Sequence, residues 1–108
     1  MSSATFYRVP VRAVWELDVG RKLRADLATI YRYLLCIKEA GGKANLTGLQ
    51  KCGGGSMTTV SKYVEIMKAK GLIEEEEGGR ERVFKLTRKG EDYLFLFARL
   101  LALIGEQP

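Results

Sequence analysis

Residues 60–94 read VSKYVEIMKAKGLIEEEEGGRERVFKLTRKGEDYL, and this run decides the fold. Val60, Tyr63, Val64 and Met67 recur at helical spacing. They define a helix of about Met57–Lys70, with Ser56 as its N-cap and Gly71 as its stop. Leu72–Glu77 and Arg82–Leu86 then read as two strands joined at Gly78-Gly79, a hairpin turn signal. Thr87 can cap a last helix, whose first turn is Arg88–Asp92 and whose body is Leu94–Ile104.

Upstream, Asn45 can cap a short helix that presents Leu46 and Leu49. Gly53-Gly54-Gly55 follows as a turn, and Lys43-Ala44 can add one or two strand residues. Leu23, Leu27, Ile30, Tyr31, Leu34 and Ile37 lie at helical spacing and predict a first helix of about Arg21–Ala40, ended by Gly41-Gly42. Tyr33 and Cys36 lie off that stripe, so this helix is expected to pack against two neighbours. From Tyr7 to Leu17 apolar residues alternate strictly, which argues for a strand. Pro10 would confine it to an edge, and a helix starting near Val11 is the competing reading. The expected architecture is mainly α with a small β-hairpin, in the α+β class. One globular unit is organised as an arm or strand (1–20), a helix-helix-helix-hairpin body (21–86) and a C-terminal helix (87–108).

The chain has 108 residues, of which 46% are apolar, enough for one modest core. No basic-then-apolar leader is read near Met1. The apolar-rich run Tyr93–Ile104 is broken by Arg99 and falls well short of the roughly 20 residues that span a bilayer. A soluble, cytoplasmic protein is expected. The chain has no His and two Cys. That excludes His-based catalysis and His metal ligation, and two thiols do not complete a structural zinc site. Cys36 and Cys52 are read as ordinary small residues, with a single disulfide as the alternative. Scarce amides (Asn45, Gln50 and Gln107) hint at a thermophilic source. No nucleophile–base pair occurs, and the Gly53–Ser56 turn lacks a P-loop lysine. An enzyme is the least favoured class, and no cofactor or metal is assigned.

Charge is more informative. The net charge is +5, but residues 21–71 hold ten Lys/Arg against three acids, a net +7. Residues 72–86 carry a net −2. A basic central segment suits a polyanion, because Lys and Arg release counterions when they neutralise phosphates. The short helix, glycine turn and Ser-capped helix resemble a helix-turn-helix. Thr58, Thr59, Ser61 and Lys62 then lie on the non-core side near the start of the second helix, where such helices enter a major groove.

The quoted run also resembles the second half of winged-helix transcriptional regulators. The shared elements are a recognition helix ending in Lys70-Gly71-Leu72-Ile73, a wing, and Leu86-Thr87-Arg88-Lys89-Gly90 opening the next helix. The chain is similar over about residues 23–104 to small archaeal winged-helix proteins that dimerise through a C-terminal helix. The resemblance implies double-stranded DNA as partner, with Lys43, Ser56, Thr58, Thr59, Ser61, Lys62, Arg80 and Arg82 as DNA-contact candidates. Two features depart from the pattern. Glu74–Glu77 puts four acids beside the wing, either as a solvated edge or as a site for a basic partner. Gly53–Gly55 is glycine-rich, either to let the recognition helix shift or to fit a tight approach.

Ten of the eleven residues from Leu94 to Ile104 are apolar. One helix of a small domain usually buries one stripe, so a homodimer through Leu94, Phe95, Phe97, Leu100, Leu101 and Ile104 is expected. A two-fold dimer would present two recognition helices to half-sites about one DNA turn apart. The favoured function is a dimeric transcriptional regulator reading the major groove with helix 57–70. A non-specific architectural DNA binder and a protein-docking winged helix are the alternatives.

Overall fold

The computed structural model describes residues 26–77 and 79–105. The alternating segment Tyr7–Leu17, read above as a strand, lies outside the described residues. The element order is α1 (Leu27–Glu39), β1 (Lys43–Asn45), α2 (Leu46–Gly53), α3 (Met57–Ala69), β2 (Ile73–Glu76), β3 (Val83–Leu86) and α4 (Arg88–Leu103).

Helix α1 begins at Leu27, later than the Arg21 start that its apolar stripe suggests. Asp26 is the reason. Its backbone is extended, and its carboxylate accepts from the amide of Ala28 and the hydroxyl of Thr29. It thereby satisfies an amide that has no partner inside the helix. The expectation of two packed faces holds. Tyr31 stacks on Phe97 of α4 with ring centroids 4.7 Å apart. The off-stripe residues Tyr33 and Cys36 are also buried, towards α2. Tyr93 of α4 donates its hydroxyl to Leu27 O at 2.6 Å. Burial, reinforced by the negative charge of Asp26, pushes this phenol up to about 12, so it stays a donor.

The reading of both cysteines as unpaired small residues is corrected. Cys36 of α1 and Cys52 of α2 form a disulfide, with Cα atoms 6.0 Å apart. Their sequence separation of 16 gives no sign of this. They meet because α2 folds back across the second face of α1. The short α2 buries Leu49 alone, so a covalent link to α1 adds to a sparse set of contacts.

The sheet has the order β1-β3-β2, antiparallel throughout. Phe84 pairs with Ala44 on one side and Glu75 on the other, and its ring is fully buried. The strand pairing ends at Glu76 and Val83, so Glu77 and Arg82, read above as strand residues, lie outside it. The Arg82 side chain bonds Glu75 across the hairpin and Glu65 on α3.

The ends of α3, β2, β3 and α4 meet at one corner. Gly71 has φ 77°, and the amides of Gly71 and Leu72 donate to Lys68 O and Met67 O. This is the paired closure of a helix by a left-handed glycine. Thr87 then joins both halves through three of its bonds. Its amide donates to Leu72 O (3.1 Å), its hydroxyl donates to Gly71 O (2.6 Å), and its Oγ1 accepts from Gly90 N (3.1 Å). Lys89 donates to Lys70 O at 2.8 Å. A Cβ on Gly90 would lie 2.2 Å from Leu72 O. The GLI and LTxxG elements are therefore two halves of one contact. Gly90→Ala is expected to destabilise the fold by about 1–3 kcal/mol, as overpacking against backbone does. Chemical denaturation checks this, and an unchanged midpoint would show that the corner can open without cost.

Candidate nucleic-acid interface

The candidate surface is built on the turn between α2 and α3. Tyr33 holds that turn from below. Its hydroxyl donates to Gly54 O at 2.8 Å. A Cβ on Gly53 would lie 2.6 Å from two carbons of the Tyr33 ring. Gly54 and Gly55 have φ of 82° and 87°, a region that L side chains rarely adopt. Gln50 adds a bond from Nε2 to Gly55 O at 3.2 Å. Of the two readings of the triple glycine, the structure supports the tight approach. The signal missed in the sequence was Tyr33, whose off-stripe position marks the residue that needs small neighbours.

Helix α3 starts from this held turn. Ser56 Oγ accepts from Thr59 N and donates to Thr59 Oγ1, both at 3.1 Å. Ser56 is therefore the helix cap as well as a candidate contact. Val60, Tyr63, Val64 and Met67 face the core, as their spacing predicts. Thr58 and Lys62 are exposed, and Thr59 and Ser61 are half-buried. One turn further along the outer face is Glu65. Lys51, exposed at the end of α2, adds a cation that was not among the expected contact residues.

The remaining candidates divide. Arg80 is exposed in the β2–β3 connection. Lys43 is exposed, and its ammonium is paired with Glu76. Arg82 is enclosed by acids. Its Nη2 donates to Glu65 Oε2 at 2.7 Å, and its Nε donates to Glu75 Oε2 at 3.0 Å. Lys68 donates to Glu75 Oε1 at 2.8 Å. The acidic run is thus largely answered from within: Glu74 faces Lys85 at 3.9 Å, Glu75 holds Arg82 and Lys68, and Glu76 holds Lys43. Hydrogen bonds from Arg82 and then Lys68 hold the Glu75 carboxyl down to about 2. Arg82 likewise lowers Glu65, and Lys43 lowers Glu76.

On α4, Leu94 is buried in the chain's own core, and Phe97 and Leu101 pack against that core. These three interface candidates serve the chain's own core instead. Phe95, Leu96, Leu100, Leu103 and Ile104 are exposed, with Leu103 at 83% and Ile104 at 67%. Among the described residues no group of three or more His, Cys, Asp or Glu could hold a metal ion, and no helix is long and apolar enough to cross a membrane.

No family model and no curated protein matches the sequence. Solved structures do match. F93 from STIV, a winged-helix DNA-binding protein, superposes with a TM-score of 0.66 at 15% identity, over 79% of this chain and 100% of its own. The chain has a winged-helix fold. In its terms α2 and α3 are the helix-turn-helix pair, and β2 and β3 form the wing. Sso10a-2, a DNA-binding protein from Sulfolobus solfataricus, superposes at 0.65 with 14% identity, over 74% of this chain and 81% of its own. A cysteine-to-serine mutant of MarR from E. coli, complexed with operator DNA, superposes at 0.60 with 18% identity, over 68% of this chain. This winged helix spans about half of that protein, 54% of its length.

The wing acids make stability depend on pH. Glu75 ionises at about 2 in the folded chain, against an ordinary value of 4.5. Between those values the unfolded chain binds more protons, so stability falls as pH drops through that window. Thermal melts from pH 5 to pH 2 are expected to show a falling midpoint. Glu75→Gln should lower the midpoint at pH 7 and flatten the decline. Parallel curves for the two proteins would contradict the role given to Glu75.

Proposed function

We propose that this winged helix is a double-stranded-DNA-binding transcriptional regulator that works as a homodimer, without enzymatic activity, in the cytoplasm. The observation that carries the reading is the start of α3. A rigidly held turn presents Thr58, Ser61 and Lys62 outward, in a segment of strong positive charge. Thr58 and Ser61 can bond base edges, and Lys62 a phosphate. Ser56 and Thr59 shape the helix start, whose free amides favour a phosphate. Arg80 reaches the backbone from the wing, and Lys43 and Lys51 add to the attraction. The similarity to F93, Sso10a-2 and operator-bound MarR supports DNA as the partner. The protein-docking alternative loses its main support, because Glu74, Glu75 and Glu76 face the chain's own cations.

The wild-type chain is expected to bind duplex DNA, with an affinity that falls steeply as salt rises. Lys62→Ala should weaken binding to all duplexes and reduce the slope of log K against log salt by about 1. Thr58→Ala should change affinity unevenly between sequences. Footprinting then separates a regulator, which protects discrete sites, from an architectural binder, which protects any duplex alike. No binding to any duplex at low salt would reject the DNA reading.

The dimer is assigned to the open face of α4, with Phe95, Leu100 and Ile104 joined by Leu96 and Leu103. Burying a large apolar side chain contributes about 1.5–3 kcal/mol, and a contiguous exposed apolar patch is uncommon on a monomer. Sedimentation at micromolar concentration is expected to give a dimer. Leu100→Glu with Leu103→Glu should give a folded monomer. A wild-type monomer would reject this assignment and leave the α3 surface untouched.

A further inference from the structure

We propose that Arg82 is a positioning residue, which latches the wing to the recognition helix and makes no phosphate contact itself. The inference rests on the DNA-binding reading of α3 and adds to it a route by which the wing is aimed. It runs against the place in the pattern that makes Arg82 an obvious DNA contact.

The geometry is that of a closed ring of charges. The guanidinium of Arg82 grips Glu75 through two bonds, Nε to Oε2 at 3.0 Å and Nη2 to Oε1 at 3.1 Å. The same Nη2 reaches Glu65 Oε2 at 2.7 Å. Lys68 closes the ring, 2.8 Å from Glu75 and 3.7 Å from Glu65. The guanidinium also lies over the Phe84 ring, with Cζ 5.1 Å from its centroid. A planar fork stacked on an aromatic ring and held by two carboxylates is the arrangement Arg makes and Lys does not. Two cations and two carboxylates leave no net charge, so the ring offers a phosphate nothing that it is not already holding.

Its placement supplies the function. Glu65 and Lys68 belong to α3, and Glu65 lies one turn beyond Ser61 and Lys62. Glu75 lies in β2, and Arg82 lies at the end of the connection that carries Arg80. The ring therefore sets the position of Arg80 relative to the DNA-reading start of α3. Burial of Phe84 and Ile73 holds the strands to the core. The connection beyond them has no apolar anchor of this kind, so its direction depends on polar contacts such as these.

The test is a set of duplex titrations across salt concentration with wild type, R82Q, E75Q, E65Q and the R82Q/E75Q double variant, together with thermal unfolding without DNA. Charge alone predicts that E65Q and E75Q bind more tightly, since each removes an acid near the duplex. A latch predicts the opposite. Both should weaken binding, on the order of several-fold, with the salt slope unchanged. R82Q should do the same, and the double variant should be no weaker than either single variant, because the pair acts as a unit. A salt slope reduced by about 1 in R82Q, with tighter binding by E75Q, would make Arg82 a phosphate contact and overturn the proposal. Should R82Q fail to fold, E65Q decides, because Glu65 is exposed and its loss spares the core. If the wild type binds no duplex, the DNA reading fails separately. The double-variant cycle on unfolding then reports on the latch: non-additive effects support it and additive effects overturn it.

Discussion

The contact between Gly90 and the carbonyl of Leu72 holds the chain's two halves in register. Helix α4 can enter this corner because residue 90 has no side chain, and Thr87 then bonds to both halves at once. From that point α4 is directed along α1, where Tyr31, Phe97 and Tyr93 stack. The same corner closes α3 through Gly71 and starts β2 with Leu72 and Ile73 in the core. Helix α3, the wing strands and α4 are thus joined at one close approach of backbone to backbone. A second close approach, Tyr33 against Gly53, does the same for the other end of α3. Helix α3 is therefore flanked at both ends by close approaches that only a glycine fits.

Charge follows a consistent pattern around this frame. Acids beside a wing look out of place in a basic chain when counted along the sequence. In space they are balanced by Lys43, Lys68, Arg82 and Lys85. Such exposed pairs contribute little each to stability. Their larger effect is to sort the cations. Those near the wing strands are engaged within the chain, whereas Lys62 and Lys51 lie exposed near the helix-turn-helix. Lys51 and Lys62 are thus the exposed cations that flank the turn before α3.

Much of the fold was legible because it is local. The caps Asn45, Ser56 and Thr87, the core stripe of α3 and the stop at Gly71 each depend on residues within one turn of one another, and each is where the spacing puts it. The reading failed where the cause is distant in sequence. The disulfide needs α2 to lie across α1. One miss was local: the late start of α1 depends on Asp26, whose capping role the apolar stripe overrode. The candidate site was legible as a segment but not as a set of side chains. Ser56 and Thr59 bond to each other, and Arg82 is taken by carboxylates, and no count of residue types distinguishes these from free groups.

Helix α4 shows the same limit from the apolar side. With ten apolar residues in eleven, its sequence carries almost no periodicity, so it cannot say which stripe faces inward. Tyr31 decides. Its ring takes Phe97, which turns Leu94 and Leu101 onto the core and leaves Phe95, Leu96, Leu100, Leu103 and Ile104 outward. A sequence that needed one apolar stripe for its own core would be expected to make the other face polar. Its retention of Phe and Leu there, with Arg99 lying over the Phe95 ring, is costly in water for a chain that stays alone. The outward stripe is therefore best understood as part of the same design as α3. In the proposed dimer α4 would set the spacing of the two α3 helices, and the corner at Gly90 links α4 to α3 within each chain.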